Sequence, residues 1–288
     1  MEVHYLKSGT FKAEDFAQPM VMALGFFDGV HRGHQQVINT ARKFAQEKQL
    51  PLAVMTFDRH SSMLFTDPET TEFRYLNTLD EKIRLMGHQQ VDQLFVVEFS
   101  RDFAGLSPET FVQQYFVDLQ VQVAVAGFDF TFGKFGLGNM ELLEQLSQGQ
   151  FLTITVPKKD ELAEKISSTR IRKVIELGEM DAAVRLLGHE YVVTGQLQAD
   201  GTVTITNRYQ QLPPQGEYTC QIEIDGEVHQ SLIAVKEPDV QPVPQNLWVD
   251  LSAFSAESLK NYTEVKLTWL GQANSYQEVL PTDQAESC

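Results

Sequence analysis

Short apolar runs without polar alternation recur through the first half of the chain. Such runs are typical of strands that are covered on both faces of a parallel sheet. Five of them lie at residues 21–27, 52–57, 94–99, 121–127 and 151–156. Segments with helical signals separate them, so the pattern predicts an α/β fold with a doubly wound, Rossmann-like parallel sheet. In such a sheet, ligands bind at the carboxyl ends of the strands.

The separating segments carry recognisable helix starts. Residues 33–48 place their apolar side chains on one stripe, as an amphipathic helix does. Thr78 begins the capping box T-L-D-E of a second helix, which is expected to end near Gln89. Ser107 and Pro108 supply an N-cap and a first-turn proline for a third helix, expected to continue to Leu119.

From residue 189 the hydrophobic period changes to that of β-strands. Strand-like segments lie at 191–198, 202–206, 218–224, 228–235, 246–251 and 264–270. Asp-Gly pairs at 200–201 and 225–226 are typical of hairpin turns. We therefore predict two domains, an α/β domain over 1–188 and a small all-β barrel over 189–275, followed by a tail at 276–288.

The charge balance restricts the partners. The formal net charge is −16, whereas binding to nucleic acid or an anionic membrane needs a surplus of Lys and Arg. We expect neither partner, although the cations clustered at 158–173 suit a small anion. The absence of a long apolar run or a secretory signal leads us to expect a cytoplasmic protein. Cys220 and Cys288 do not suggest a disulfide framework, and the oligomeric state stays open.

Candidate chemistry begins after the first apolar run, in the sequence GFFDGVHRGHQ. This turn contains Gly25, Gly29 and Gly33 together with Asp28, His31 and His34. A strand that leads into a helix through such a turn offers backbone N–H groups and the positive end of the helix dipole, which suggests phosphate. The spacing differs from the Rossmann and Walker motifs and from a helical zinc pair. The alternative is a tight turn whose histidines only cap the helix.

A second cluster of phosphate-binding residue types lies in ISSTRIRKVIELG at 166–178. Ser167, Ser168 and Thr169 are favourable N-caps, and Arg170 follows them at the predicted helix start. Hydroxyl, backbone N–H and guanidinium donors would converge there, so the segment predicts a phosphate clamp. A well-capped amphipathic helix is the alternative interpretation.

The two segments resemble the H-x-G-H and ISSTxIR signatures of the HxGH nucleotidyltransferase superfamily, in the form found in bacterial FAD synthetases. The resemblance continues through TLDEKIRLMGHQQVDQLFVVEFS, FAGLSPETFV, AGFDFTFG and the LLG at 186–188. It implies transfer of AMP from ATP to FMN, giving FAD and diphosphate, with Mg²⁺ accompanying the ATP. Two alternatives stay open: transfer of AMP or CMP to another phosphorylated metabolite, and a non-catalytic flavin- or nucleotide-binding regulator.

The resemblance also implies roles for individual residues. It implies that three residues make catalytic hydrogen bonds to the phosphates: His31, His34 and Arg170. The candidates for ATP binding are Gly25, Phe26, Phe27, Asp28, Gly33, Ser167, Ser168, Thr169 and Arg172. The candidates for the flavin side are Thr56, Asp58, His60 and Asp129. No metal site made by the protein alone is expected.

The chain departs from the family pattern in two places. On the flavin side, the family's TFxPHP reads TFDRHS at 56–61, and KFGLGN follows Gly133 where an arginine and a terminal aspartate are usual. The predicted barrel is similar in position to the riboflavin kinase domain of bifunctional family members. It lacks a G-F-P-T-A-N segment, and Trp248 stands where the catalytic glutamate would be. We therefore expect no riboflavin kinase activity.

Overall fold

The computed structural model contains an α/β unit and a β-barrel unit. It describes residues 1–16, 18–67, 71, 73–157, 160–161, 164–224, 226–236, 246–250, 254 and 263–272. Three sequence features lie outside the described residues: Lys158 and Lys159 of the cation cluster, Asp225 of the second predicted hairpin turn, and the predicted tail at 276–288.

A six-stranded sheet forms the centre of the α/β unit. Its strands are β1 (Glu2–Leu6), β2 (Met20–Leu24), β3 (Leu52–Phe57), β4 (Gln93–Val97), β5 (Val121–Gly127) and β6 (Leu152–Val156). They lie in the order β1-β4-β3-β2-β5-β6, and every neighbouring pair is parallel. The predicted doubly wound parallel sheet is confirmed. Strand β1 was missed because EVHYL is a partly exposed edge strand that lacks a continuous apolar run.

Helices lie between the strands of this sheet in the sequence, and two more come after its last strand. They are α1 (Arg32–Lys48), α2 (Ser62–Phe65), α3 (Leu79–His88), α4 (Arg101–Ala104), α5 (Pro108–Val112), α6 (Met140–Ser147), α7 (Ser168–Glu176) and α8 (Met180–Leu187). The helix expected to run from Pro108 to Leu119 is two elements, since α5 passes into a π-helical turn at Gln113–Val117. A two-residue strand pair, β7 (Asp160–Glu161) and β8 (Glu164–Lys165), precedes α7.

Alternating side chains of β2 enter two separate cores, one on each face of the sheet. Met20, Met22 and Leu24 belong to the core that also contains Phe111 and Leu143. The intervening residues Val21 and Ala23 pack in the other core, with apolar residues of α1 and α3. A strand with both faces buried needs apolar residues at every position, which explains its uninterrupted run.

After β4 the chain reverses its direction across the sheet, because it crosses β3 and β2 to reach β5 on the other side. Strands β3 and β4 lie on one side of β2, while β5 and β6 lie on the other. The carboxyl ends of β2 and β5 therefore form the crevice at which a doubly wound sheet binds its ligands. Gly25–His34 follows β2, and Asp129 follows β5.

The second unit contains a closed antiparallel barrel. Its strands are β9 (Tyr191–Leu197), β10 (Thr202–Ile205), β11 (Gly216–Ile224), β12 (Glu227–Lys236), β13 (Asn246–Val249) and β14 (Thr263–Gln272). They close in the order β10-β13-β12-β11-β14-β9, so the predicted all-β barrel is confirmed. The first compact unit comprises Met1–Lys173, Arg185–His189 and Tyr209–Gln211, and the second contains the other described residues.

Candidate active site

The turn after β2 is tightly folded and largely buried. Gly29 has a φ of +80°, and a Cβ atom there would lie 2.7 Å from Leu76 Cδ1, so only glycine fits. The buried residues Phe27 and Val30 also have positive φ values of 54° and 39°. Such strained backbone is retained where surrounding structure enforces it, and it concentrates at functional sites.

His31 caps α1 through its side chain. The backbone N–H of His34 donates to Nδ1 of His31 at 3.2 Å. Since Nδ1 accepts this hydrogen bond, the proton of the neutral imidazole resides on Nε2. The cap therefore gives His31 one defined donor atom. The expected helix-capping role and the expected phosphate-donor role are compatible, because they use different ring nitrogens.

His34 stacks on His31, with ring centroids 3.5 Å apart and planes inclined by 16°. The ring of His34 also makes a T-shaped contact with Phe27, with ring centroids 5.3 Å apart and planes inclined by 85°. Desolvation lowers the pKa of His34 well below its ordinary value, and the nearby His31 and Lys82 lower it further. His34 is consequently a neutral hydrogen-bonding group at neutral pH.

Asp28 and Arg172 form a buried ion pair. Oδ2 of Asp28 accepts from the Arg172 guanidinium at 2.7 Å, and the two side chains are 3% and 20% exposed. The other oxygen, Oδ1, accepts from the backbone N–H of Leu76 at 2.9 Å. Burial raises the pKa of Asp28, while Arg172 opposes that shift. Both residues were predicted to bind ATP, and in the structure they bind each other.

Ser168 connects the two predicted phosphate-binding segments, because its hydroxyl donates to the backbone carbonyl of Asp28 at 2.9 Å. Ser167 accepts from the backbone N–H of Arg170 at 3.3 Å, as an N-cap does. Ser167, Ser168 and Thr169 line the same cleft as residues 25–34, which run from the end of β2 into the start of α1 and which we call the glycine turn. Arg170 is not among the described residues that line this cleft.

The cleft has a volume of about 1210 Å³. This exceeds the ~300–1000 Å³ of an ordinary small-molecule site, so it can hold two substrates. Beside the two segments predicted to bind phosphate, it has an aromatic region lined by Phe57, Phe99, Phe103, Phe111, Phe130 and Phe132. The sequence does not predict this region, because its members lie on a strand, on helices and on loops and share no local motif.

The four flavin-side candidates lie in two different settings. His60 and Asp129 line the cleft. Thr56 is fully buried and donates to the carbonyl of Phe26 at 2.9 Å. Asp58 accepts from the backbone N–H of Phe99 at 2.7 Å and pairs with Arg59. These contacts join the carboxyl end of β3 to the segments that follow β2 and β4.

An aromatic stack continues from His60 to the ion pair. The His60 ring lies 4.1 Å from the Phe73 ring at an angle of 6°, and the guanidinium of Arg172 lies over Phe73 at 4.6 Å. Burial lowers the pKa of His60 to about 4, and Arg172 and Lys82 contribute to the shift. His60 is therefore uncharged at neutral pH.

Lys82 is a buried cation next to the glycine turn, and the sequence did not predict a role for it. Its side chain donates to the carbonyl of Phe26 at 2.9 Å and lies 4.1 Å from the centre of the Phe26 ring. Burial lowers the pKa of Lys82 to about 8, although Asp28 and Asp58 oppose this shift. A lysine within the buried stripe of α3 is the signal that could have revealed it.

Comparison with known proteins identifies the family. Residues 13–170 match the family model described as FAD synthetase. The chain belongs to the FAD synthetase family. The bifunctional riboflavin kinase/FMN adenylyltransferase of Bacillus subtilis is 37% identical over 269 residues, covering 88% of this chain and 84% of that protein. The FAD synthetase of Listeria monocytogenes is 32% identical, covering 76% of this chain and 86% of that one. The predicted family is thus confirmed.

A solved structure has a similar fold along most of the chain. It is titled a macrolide-efflux protein from Streptococcus pneumoniae, and it matches with a TM-score of 0.78 and 26% sequence identity. The match covers 94% of this chain and 99% of that one. Among the residues that our structure describes, no helix has the length and apolar character needed to cross a membrane.

Proposed function

We propose that this member of the FAD synthetase family transfers AMP from ATP to FMN, forming FAD and releasing diphosphate, and that His31, His34 and Arg170 stabilise the reacting phosphates. The observation that carries the proposal is one cleft that combines the glycine turn and the hydroxyl-rich start of α7 with an aromatic region. The first two features suit a triphosphate. The aromatic region suits a flat, largely apolar ring system.

The chemistry requires little covalent participation by the protein. An oxygen of the FMN phosphate is already ionised at neutral pH, so it can attack the α-phosphorus without an activated serine or cysteine. The bond from the α-phosphorus to its bridging oxygen breaks, and diphosphate leaves. The protein contributes position and preorganised donors: Nε2–H of His31, the neutral ring of His34 and the N-terminal amides of α1.

The donor set of the cleft fits a Mg²⁺ ion that arrives with ATP. The described residues contain no group of three or more His, Cys, Asp or Glu that could hold a metal ion. Of the two carboxylates that line the cleft in the described chain, Asp28 pairs with Arg172 and Asp129 can face the ligand. Bound Mg²⁺ would neutralise phosphate charge, with Asp129 as its candidate protein ligand.

We also propose that the region over 189–275 is a riboflavin kinase-like domain without kinase activity. The position expected for the catalytic base holds Trp248, whose indole N–H donates to the carbonyl of Asp200 at 2.9 Å. An indole has no basic lone pair, so it cannot deprotonate riboflavin. The proposed domains are therefore a transferase domain over 1–188, this barrel, and a tail at 276–288.

Product analysis tests both proposals with the purified full chain. With ATP, Mg²⁺ and FMN, we expect FAD and diphosphate in equal amounts, measured by chromatography and a coupled diphosphate assay. Calorimetric binding of ATP and FMN without diphosphate release would contradict transferase activity, and faster turnover of another phosphorylated acceptor would contradict FMN as the substrate. With ATP and riboflavin we expect no FMN, so FMN formation at an enzymatic rate would contradict the kinase proposal.

A further inference from the structure

Residues 74–77, with the sequence RYLN, hold the glycine turn in place. The backbone N–H of Leu76 donates to Asp28 at 2.9 Å, and the side-chain oxygen of Asn77 accepts from the backbone N–H of Gly29 at 2.8 Å. The Arg172 guanidinium also donates to the carbonyl of Arg74. Because Asp28 and Gly29 lie in the turn that leads to His31, the placement of this segment determines where the proposed phosphate donors point.

The other edge of this segment is held by residues 209–211, which lie between β10 and β11 in the sequence but belong to the first compact unit. The backbone N–H of Tyr75 donates to Tyr209 at 2.7 Å, and that of Gln211 donates to Tyr75 at 2.8 Å. These bonds form a parallel β-bridge between Tyr75 and Gln210. The side chain of Gln210 is only 3% exposed and donates to Leu76 at 3.4 Å.

A second contact from beyond the predicted domain boundary reaches the turn directly. Nε2 of His189 donates to the backbone carbonyl of Gly29 at 2.8 Å. Two residues earlier, the carbonyl of Leu187 accepts from Gln35 of α1 at 2.9 Å, and the same Gln35 amide donates to Val30 at 2.9 Å. Gly29 is thus held on both of its backbone groups, by Asn77 and by His189.

We propose that His189 and residues 209–211 are positioning residues for the glycine turn. Residues that the sequence pattern assigned to the barrel would then complete the transferase site. The consequence for adenylyl transfer rests on the proposed function, whereas the conformation of the turn can be measured without it. This role gives a physical reason for a chain without kinase residues to retain the barrel sequence.

The test compares full-length variants that remove one anchor each. His189→Ala removes the donor to Gly29, and His189→Gln keeps an amide donor of similar reach. Gln211→Pro removes the backbone N–H that bonds Tyr75, and Gln211→Ala retains it. His229→Ala is the matched control, because His229 lies on β12 and its partner there is Glu227. Thermal unfolding of every variant establishes that the fold is intact.

Two measurements decide the proposal. We expect His189→Ala and Gln211→Pro to lower kcat about tenfold while KM for ATP and FMN changes less than about threefold. His189→Gln should recover most of the loss, and Gln211→Ala and His229→Ala should stay near wild type. We also expect faster amide hydrogen exchange in peptides that cover 26–34 and 74–78, in His189→Ala and Gln211→Pro only.

The outcomes separate this inference from the proposed function. A wild-type chain that makes no FAD would contradict the function, and hydrogen exchange would still decide whether these residues fix the turn. Unchanged exchange at the turn in both variants would overturn the inference. So would wild-type kcat in His189→Ala, or a kcat loss that His189→Gln fails to recover, since a merely structural histidine would behave in that way.

Discussion

The hydroxyl of Ser168 donates to the backbone carbonyl of Asp28 at 2.9 Å, although the two residues are 140 positions apart in the sequence. This bond joins the start of α7 to the turn before α1, which are the two segments predicted to bind phosphate. Two helix N-termini directed at one cleft combine their positive dipole ends and free amides. The H-x-G-H and ISSTRIR segments therefore lie side by side at one cleft.

His34→Ala should lower kcat by about 10²- to 10³-fold, the usual effect of removing one donor from a developing phosphate charge. Thermal unfolding should change little, because Val37, Ile38 and Ala41 hold α1 against the sheet. FAD formation under saturating substrates provides the measurement. His88→Ala, at an exposed position on α3, is the control. Turnover near wild type in His34→Ala would remove His34 from the mechanism.

Arg170→Ala distinguishes a phosphate-binding guanidinium from a structural one. Arg170 lies in the first turn of α7, beside the cleft-lining Ser168 and Thr169. If it contacts the β- and γ-phosphates, turnover should fall by about 10²-fold and KM for ATP should rise. Lys173→Ala, one turn further along α7, should have little effect. A loss of stability with turnover unchanged would show that Arg170 supports the helix instead.

Arg172→Ala should destabilise the fold by ~3–5 kcal/mol at pH 7, because it leaves the carboxylate of Asp28 buried without a partner. Without Arg172 the folded-state pKa of Asp28 rises further above its unfolded value, so the folded state binds this proton more tightly. The destabilisation should therefore be smaller at pH 5 than at pH 7. Urea unfolding at both pH values provides the measurement.

The control for this prediction is Lys266→Ala. Lys266 pairs with Glu223 at 3.2 Å, and the two side chains are 34% and 42% exposed. Pairs that are exposed on both sides contribute only ~0–1 kcal/mol, so this variant should remain close to wild type at both pH values. Equal losses in Lys266→Ala and Arg172→Ala would contradict the importance of the buried pair.

His60 should make the fold sensitive to acid. Burial lowers its pKa to about 4 in the folded state, compared with 6.5 for a free side chain. Between these values the unfolded state binds the proton more readily, so stability is fully present above about pH 6.5 and declines as the pH falls toward 4. His60→Asn should show a shallower fall in melting temperature over this range. An identical slope in the variant and wild type would contradict this assignment.

Titration of Lys82 should make turnover fall at alkaline pH, which gives the pH profile of kcat a basic limb. Its pKa of about 8 means that the buried ammonium behind the carbonyl of Phe26 loses its charge as the pH rises from 7 to 9. Turnover of wild type should fall over this interval, since less positive charge then lies near the phosphates. Lys82→Met should be slower at pH 7 and lack the limb. Lys43→Met, on the exposed side of α1, should retain it.

Local sequence was sufficient for the elements whose signals are local. The buried strands, the helix N-caps at Thr78 and Ser107 and the α1 stripe were predicted, because burial on both faces requires apolar runs and helix ends require caps. Strand β1 escaped prediction because it lies at the edge and alternates polar with apolar residues. The π-helical turn after α5 was also missed, since its residues keep an ordinary helical pattern.

The sequence by itself determined the α/β and barrel patterns, the two segments proposed to bind phosphate and the resemblance to FAD synthetases. Tertiary structure decided how the predicted polar residues are used, because hydrogen-bond partners come from chain segments that no local spacing relates. It paired Asp28 with Arg172, placed Lys82 behind the turn, and fixed Gly29 between Asn77 and His189. Burial makes such pairings necessary, since a polar group removed from water needs a partner wherever the fold supplies one.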